Sequence, residues 1–267
     1  MADPKIKKYR NFLKDSIRME IDFSQTDQSL GVKPPPIEKP HDPEKKHIDL
    51  VRDEDWKNRI KLDLAFAIKN RESRRSFSGE SLTLEELSFL LWATQGIRQV
   101  LNPGTAFRTV PSAGCRHALE TYLLIRNVKG LDPGVYCYLP LEHQLLFEFT
   151  VENLVKEVSA ATLNQSFIGR APIVFVWTAI PYRMEWRYDL AAHKVIALDA
   201  GHVCQNLYLA TEAIGAGTCA IAAYDQKLMD NLLRVDGEDE FTIYLAPVGK
   251  VARPWNVERR MRSRKSV

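Results

Sequence analysis

A chain of 267 residues, 45% hydrophobic and 27% charged, has the composition of an ordinary water-soluble protein with room for one large domain and an extension. Its net charge of +3 over 37 basic and 34 acidic residues is too small to argue for nucleic acid or an anionic membrane, and its apolar runs are too short to span a bilayer. The four cysteines, Cys115, Cys137, Cys204 and Cys219, are scattered without a Cys-x-x-Cys pair, and the amino terminus has no apolar signal stretch, so reduced thiols in a cytoplasm are expected.

Residues 1–55 are polar and broken by Pro34, Pro35, Pro36, Pro40 and Pro43, which hold the backbone extended and oppose a packed helix. They read as an arm that either stays disordered or lies across a neighbouring subunit. Trp56, Ile60, Leu64, Ala67 and Ile68 recur at helical spacing and predict one amphipathic helix over 55–70. Thr83, with Glu86 three residues on and Leu82 and Leu87 as a staple, predicts a capped helix from Leu84 to about Gln95.

Further on, a strand is predicted over 119–126, a strand pair at 134–138 and 144–149, and a helix over 151–163. The apolar run 173–179 suits a strand covered on both faces, and a long helix is expected over 190–214. Strands over 218–222 and 241–248 flank a short helix at 225–233, and a basic tail occupies 256–267. The order shows neither βαβ alternation nor repeats, so the fold class is α+β with a largely antiparallel central sheet flanked by helices.

Arg71, Ser73 and Arg75 alternate, so an extended backbone would point all three the same way. Two guanidinium forks flanking a hydroxyl suit one phosphate and a polar ring edge, although a solvated charged face would read the same. Arg108 to Gly114 combines Pro111, Ser112, Ala113 and Gly114, small residues that let backbone approach something flat or simply make a tight turn.

Competing chemistries find little support. The six histidines lack metal-ligand spacing, so no metal is expected. Gly215 and Gly217 follow a helix rather than a strand and more naturally end it, and neither a P-loop nor a Gly-x-Ser-x-Gly elbow occurs.

Taken in order, Arg71-x-Ser73-x-Arg75-x-Phe77, the helix from Leu84 to Gly96, Arg108 to Gly114, Gly130 to Tyr138, Asp199 to Leu207, Ile214 to Gly217 and Tyr244 to Gly249 resemble the nitroreductase-like flavoproteins, in particular the SagB-type dehydrogenase branch. The resemblance implies a nitroreductase-like domain over 56–255 and a homodimer with FMN at its interface. It places Arg71 and Ser73 on the FMN phosphate and Arg75 near the flavin N1 and O2 edge, where a cation favours the reduced ring. It also implies that Pro111, Ser112, Ala113 and Gly114 line the ring from the partner subunit and that Ala222 and Ala223 face N5. Lys250 or Arg253 would supply a second phosphate contact. NADH or NADPH would be the electron donor and a small molecule the acceptor.

Two departures mark the substrate side. Cys115, Arg116 and His117 stand where the branch has aliphatic and aromatic residues, and Arg187-Tyr188 stands where azoline-oxidising members have Lys-Tyr. Arg116, Arg187 and Tyr188 are therefore the candidate substrate contacts. An arginine stays protonated and cannot act as a base, which disfavours an azoline-type peptide dehydrogenase using oxygen. A flavin-binding interaction protein with low turnover is the other alternative.

Overall fold

Leu119–Ile125 and Ile173–Ala179 are buried at every position. Such runs need cover on both faces, and the sheet is built around them as a central antiparallel pair. The computed structural model describes residues 3–56, 58 and 60–252; Arg253 and the basic tail lie outside the described residues.

In chain order the elements are α1 (Pro4–Arg10), β1 (His47–Asp49), α2 (Asp53–Trp56), α3 (Leu64–Asn70), α4 (Leu84–Gln95), β2 (Ile97–Asn102), β3 (Thr105–Arg108), β4 (Leu119–Ile125) and β5 (Gly134–Leu139). There follow β6 (Gln144–Phe149), α5 (Leu154–Ala161), α6 (Ser166–Gly169), β7 (Ile173–Ala179), α7 (Tyr182–Tyr188), α8 (Ala192–Ala213), β8 (Ala216–Thr218), α9 (Gln226–Leu233) and β9 (Phe241–Lys250). Seven strands form one sheet in the order β1-β6-β5-β4-β7-β9-β8, with every neighbouring pair antiparallel. The fold is therefore the α+β arrangement expected from the sequence.

Alternation along the central strands sends side chains into two cores. Leu123, Ile125, Phe175 and Trp177 join Leu87, Leu90 and Leu91 of α4 and Val203 and Leu207 of α8. Leu124, Val174 and Val176 join Val158 of α5, Ile168 of α6 and Met229 of α9 on the other face. Each such side chain contributes roughly 1.5–3 kcal/mol on burial. The α4 terminus is the predicted capping box, with the Glu86 N–H donating to Thr83 Oγ1 at 3.2 Å and the Thr83 N–H donating to Glu86 Oε2 at 3.0 Å.

The arm resolves in a way neither expectation named. Residues 26–50 lie along the chain's own domain: the Trp186 indole donates to the Val32 carbonyl at 3.0 Å, Arg108 to the Ile37 carbonyl at 2.8 Å, and β1 extends the sheet beside β6. Upstream, α1 buries nothing. Its Pro4 occupies the first turn, where a missing N–H costs no hydrogen bond.

The helix predicted over 55–70 is broken instead. Asp63 caps a fresh start by accepting from the Phe66 N–H at 2.8 Å, so Trp56 docks edge-on against Phe89 and Trp92 while Leu64 and Ile68 turn outward, 65% and 57% exposed. The strand predicted over 218–222 runs earlier, at 216–218, because Gly215 at φ +63 ends α8 and lets β8 begin at once. The hairpin β2–β3 and helix α7 were not anticipated. Among the described residues no helix is long and apolar enough to cross a membrane.

Candidate functional site

Arg71 and Ser73 converge on Tyr208 of α8. The Arg71 guanidinium lies over the phenol ring, 5.1 Å from its centroid, and Ser73 Oγ is 2.8 Å from Tyr208 Oη. The Ala220 N–H donates to the same Oη at 2.8 Å. The Ser73–Tyr208 hydrogen bond can run in either direction; with Tyr208 as donor, the exposed Ser73 keeps its own O–H for a ligand. Backbone fixes the segment too, through a parallel bridge from Ser73 to Thr218 and the Arg74 N–H donating to Thr218 O at 2.9 Å.

Arg74, the residue between the predicted pair of forks, is the one spent on structure. Its side chain lies along Gly217 and reaches Glu212 at 3.1 Å. Burial raises the Glu212 carboxyl above its usual range, and the neighbouring Arg74 and Arg71 oppose that rise. Arg75 departs from the same-side expectation. It lines a separate cleft of about 340 Å³ with Phe77, Arg126, Phe167 and Arg170. Past Ser73 the segment has no regular strand to hold alternation, and Phe77 is drawn into the core against Gly249 and Pro172. The 222–223 segment does not line that cleft; it is held by the Gln165 amide, which donates to Ala223 O at 3.1 Å. Ala222 and Ala223 are both exposed.

A second cluster forms around the 111–117 turn. Ser112 Oγ accepts the His117 N–H at 2.9 Å, and Gly114, Cys115 and His117 all hold positive φ, at 57°, 55° and 46°. Two of those are non-glycine, a strained geometry of the kind kept at functional sites. Asp199 of α8 faces this turn; burial raises its carboxyl, while the Ser112 hydroxyl, His202 and the Ala113 N–H favour the charged form. His117 is pushed down to about 3 by burial and by Arg108. Pro111 is exposed, and Ser112, Ala113 and Gly114 are half-buried.

Arg187 and Tyr188 close over this turn. A Cβ on Gly114 would stand 2.6 Å from Tyr188 Oη and 2.9 Å from Arg187 Cδ and Nε. Arg116, by contrast, is not a free substrate contact. Its guanidinium donates to the Gly104 carbonyl and to Thr105 Oγ1, and stacks on Trp186 at 5.0 Å. It pins the β2–β3 hairpin to α7. Lys250 is likewise corrected: its ammonium pairs with Glu86 and donates to the Ile214 carbonyl at 2.6 Å, so it ties β9 to α4 and α8 instead of a phosphate.

Sequence reasoning missed Tyr208 and Asp199. Each is a polar residue on the buried surface of α8, Tyr208 9% and Asp199 5% exposed, and that mismatch with an apolar helix was the available signal. Among the described residues no group of three or more His, Cys, Asp or Glu is placed to hold a metal ion.

Three comparisons bear on this arrangement. The Nitroreductase family profile matches residues 68–250. A Methanocaldococcus jannaschii protein, MJ1384, described as a candidate nitroreductase, is 33% identical over 189 residues, covering 71% of this chain and 91% of that protein. The trifolitoxin-processing protein TfxB of Rhizobium leguminosarum bv. trifolii is 26% identical over 133 residues, or 48% of this chain and 36% of TfxB. Among solved structures, one from Ralstonia eutropha, also described as a candidate nitroreductase, superposes with a TM-score of 0.64 at 24% identity, covering 82% of this chain and 98% of that one.

Proposed function

Because the chain belongs to the nitroreductase family of oxidoreductases, we propose that it binds FMN and moves electrons from NADH or NADPH to a small-molecule acceptor in two half-reactions. The observation that carries this reading is the exposed Ser73 hydroxyl held by Tyr208 beside the Arg71 fork. A phosphate dianion wants a charge-assisted fork and a hydroxyl donor, so the donor set fits the group. Bound FMN supplies the hydride- and electron-transfer chemistry that these side chains lack.

In this reading Arg71 and Ser73 hold the phosphate, and Arg75 presents a cation toward the N1 and O2 edge from its cleft. Backbone at Ala222 and Ala223 faces N5. Pro111 to Gly114 cover the ring and exclude water. Arg253 supplies a second phosphate contact in this proposal.

Helix α8 supports the assignment of that cover to a second copy. Tyr208 and Asp199 are nine residues apart, or two and a half turns, so the clamp and the turn of one chain sit on opposite sides of α8 and roughly 13 Å apart along it. One ligand touching both is more simply served by the clamp of one chain and the turn of another. Leu64 and Ile68 of α3 and Leu198 of α8, 55% exposed, offer apolar surface for the homodimer.

The similarity to TfxB favours a second reading, a dehydrogenase acting on a peptide within a processing system. Arg187 disfavours it, because a guanidinium cannot take up the proton such a step releases.

The visible spectrum of the purified protein, with identification of any released chromophore, tests the main reading. FMN bleached by NADH or NADPH under anaerobic conditions supports it, and a colourless protein that takes up no added FMN overturns it.

A further inference from the structure

We propose that Arg187 is an oxyanion receptor and that the electron acceptor carries a carboxylate. The proposal rests on the reading that the 111–114 turn covers the flavin ring. It adds the chemical class of the second substrate.

Arg187 is held directly over that turn, with its Cδ and Nε 2.9 Å from where a Gly114 Cβ would be. A half-buried guanidinium normally finds a carboxylate, yet Arg187 forms no ion pair with any described residue. The acids nearest to it in sequence are engaged elsewhere. Glu185 pairs with His193 at 2.8 Å, and Asp189 accepts the Leu190 N–H at 2.6 Å. Asp199, the α8 acid that faces the turn, is directed to Ser112, Ala113 and His202.

A second cation deepens the imbalance. Arg116 is buried behind Trp186, and the charge of Arg187 is among the influences that lower its affinity for a proton, after burial itself. Two guanidiniums thus flank the turn, and neither forms an ion pair with a described residue. Arg116 commits its Nη2 to Gly104 and Thr105 and is buried against Trp186, so the fork within reach of a ligand is that of half-buried Arg187. The planar fork matches a carboxylate in two parallel hydrogen bonds, and the Tyr188 phenol beside Gly114 offers a further donor. An aromatic acid meets both demands, a flat body against the turn and an anionic end on Arg187.

The test compares 4-nitrobenzoate with 4-nitrobenzamide, which differ in that one charge, on native protein, Arg187→Gln and Arg187→Lys. Flavin content is read from absorbance on the same samples. The native protein is expected to prefer the acid in kcat/KM, and Arg187→Gln to lower the acid-to-amide ratio by about tenfold, the scale of one charge-assisted fork, with partial recovery in Arg187→Lys. Calorimetric binding of benzoate is expected to weaken in step. A flavin-loaded protein whose ratio is unmoved by Arg187→Gln overturns the inference alone. So does a variant in which only the KM for NADPH rises, since the fork would then read a donor phosphate. Absence of flavin takes the functional reading and this inference together.

Discussion

Ser73 Oγ and Tyr208 Oη lie 2.8 Å apart, and the same phenol oxygen accepts the Ala220 N–H. One hydroxyl thereby fixes a loop residue to a helix and to the segment after β8, and holds Ser73 Oγ in one position. Tyr208→Phe removes that link and leaves the Ala220 N–H without its acceptor. The expected cost is about 1–2 kcal/mol, read as a lower urea midpoint. FMN affinity is expected to fall by about tenfold, because Ser73 then samples several rotamers. An unchanged FMN dissociation constant in a folded Tyr208→Phe protein would show that Ser73 needs no such positioning.

The opposite placement of clamp and turn around α8 makes a complementation experiment decisive. Arg71→Ala lesions the clamp, and Gly114→Leu drives a side chain into Tyr188 and Arg187. Each homodimer is expected to lose FMN. A tagged heterodimer of the two variants would have one doubly damaged site and one intact site if each site draws on both chains, and would bind one FMN per dimer. No recovered binding would mean that clamp and turn of a single chain serve the same ligand.

Much of this was legible from local pattern. The capping box at Thr83, the doubly apolar run 173–179 and the glycine stop after α8 depend on neighbours in sequence, and each appears as read. Residues whose roles depend on distant partners were not. Lys250 reads in the sequence as a free cation, but Glu86 and Ile214 claim it once β9 is packed. Arg116 is claimed in the same way by a hairpin that the sequence did not announce. The break at Asp63 was missed because helical spacing continues through it, while the capping carboxylate that restarts the helix is a single residue.

Glu38 gives the arm a pH dependence. Burial, with Glu142 and Glu120 adding to it, raises its carboxyl from 4.5 to about 7, against the Leu141 N–H and Arg108, which pull the other way. His41 also faces it, at 3.8 Å. The folded state therefore binds a proton more tightly than the unfolded chain. Its stabilising contribution is complete below about 4.5 and disappears as pH rises through about 7. The effect is on the order of 1–2 kcal/mol, discounted for solvent reaching the site. Glu38→Gln keeps an acceptor for Leu141 and has no charge to bury. Its urea midpoint should vary less between pH 5 and 8 than the native one, by about that amount, and exceed it at pH 8. Parallel pH curves for the two proteins would remove Glu38 as the cause.

Gly217 and Arg74 couple the clamp to the sheet. A Cβ at Gly217 would lie 2.4 Å from Arg74 Cδ and 2.9 Å from its Cβ, too close to the root of the side chain for rotation at its tip to relieve. The Arg74 backbone is also tied to Thr218, so the stem must swing off Glu212, whose side chain is only 8% exposed. Gly217→Ala is expected to cost about 2–3 kcal/mol from overpacking and a weakened buried pair. Arg74→Ala removes the Cδ and Cγ contacts and leaves only the one to Cβ, so the double variant should be more stable than the two losses added together, by about 1 kcal/mol in a urea-denaturation cycle. Arg74→Ala also leaves Glu212 with Arg71 as its remaining named cation. Arg71 is then drawn toward that carboxylate and away from a phosphate, and FMN affinity should fall in Arg74→Ala although Arg74 touches no ligand in the proposed site. Strict additivity in stability, together with native FMN affinity in Arg74→Ala, would dissolve the coupling.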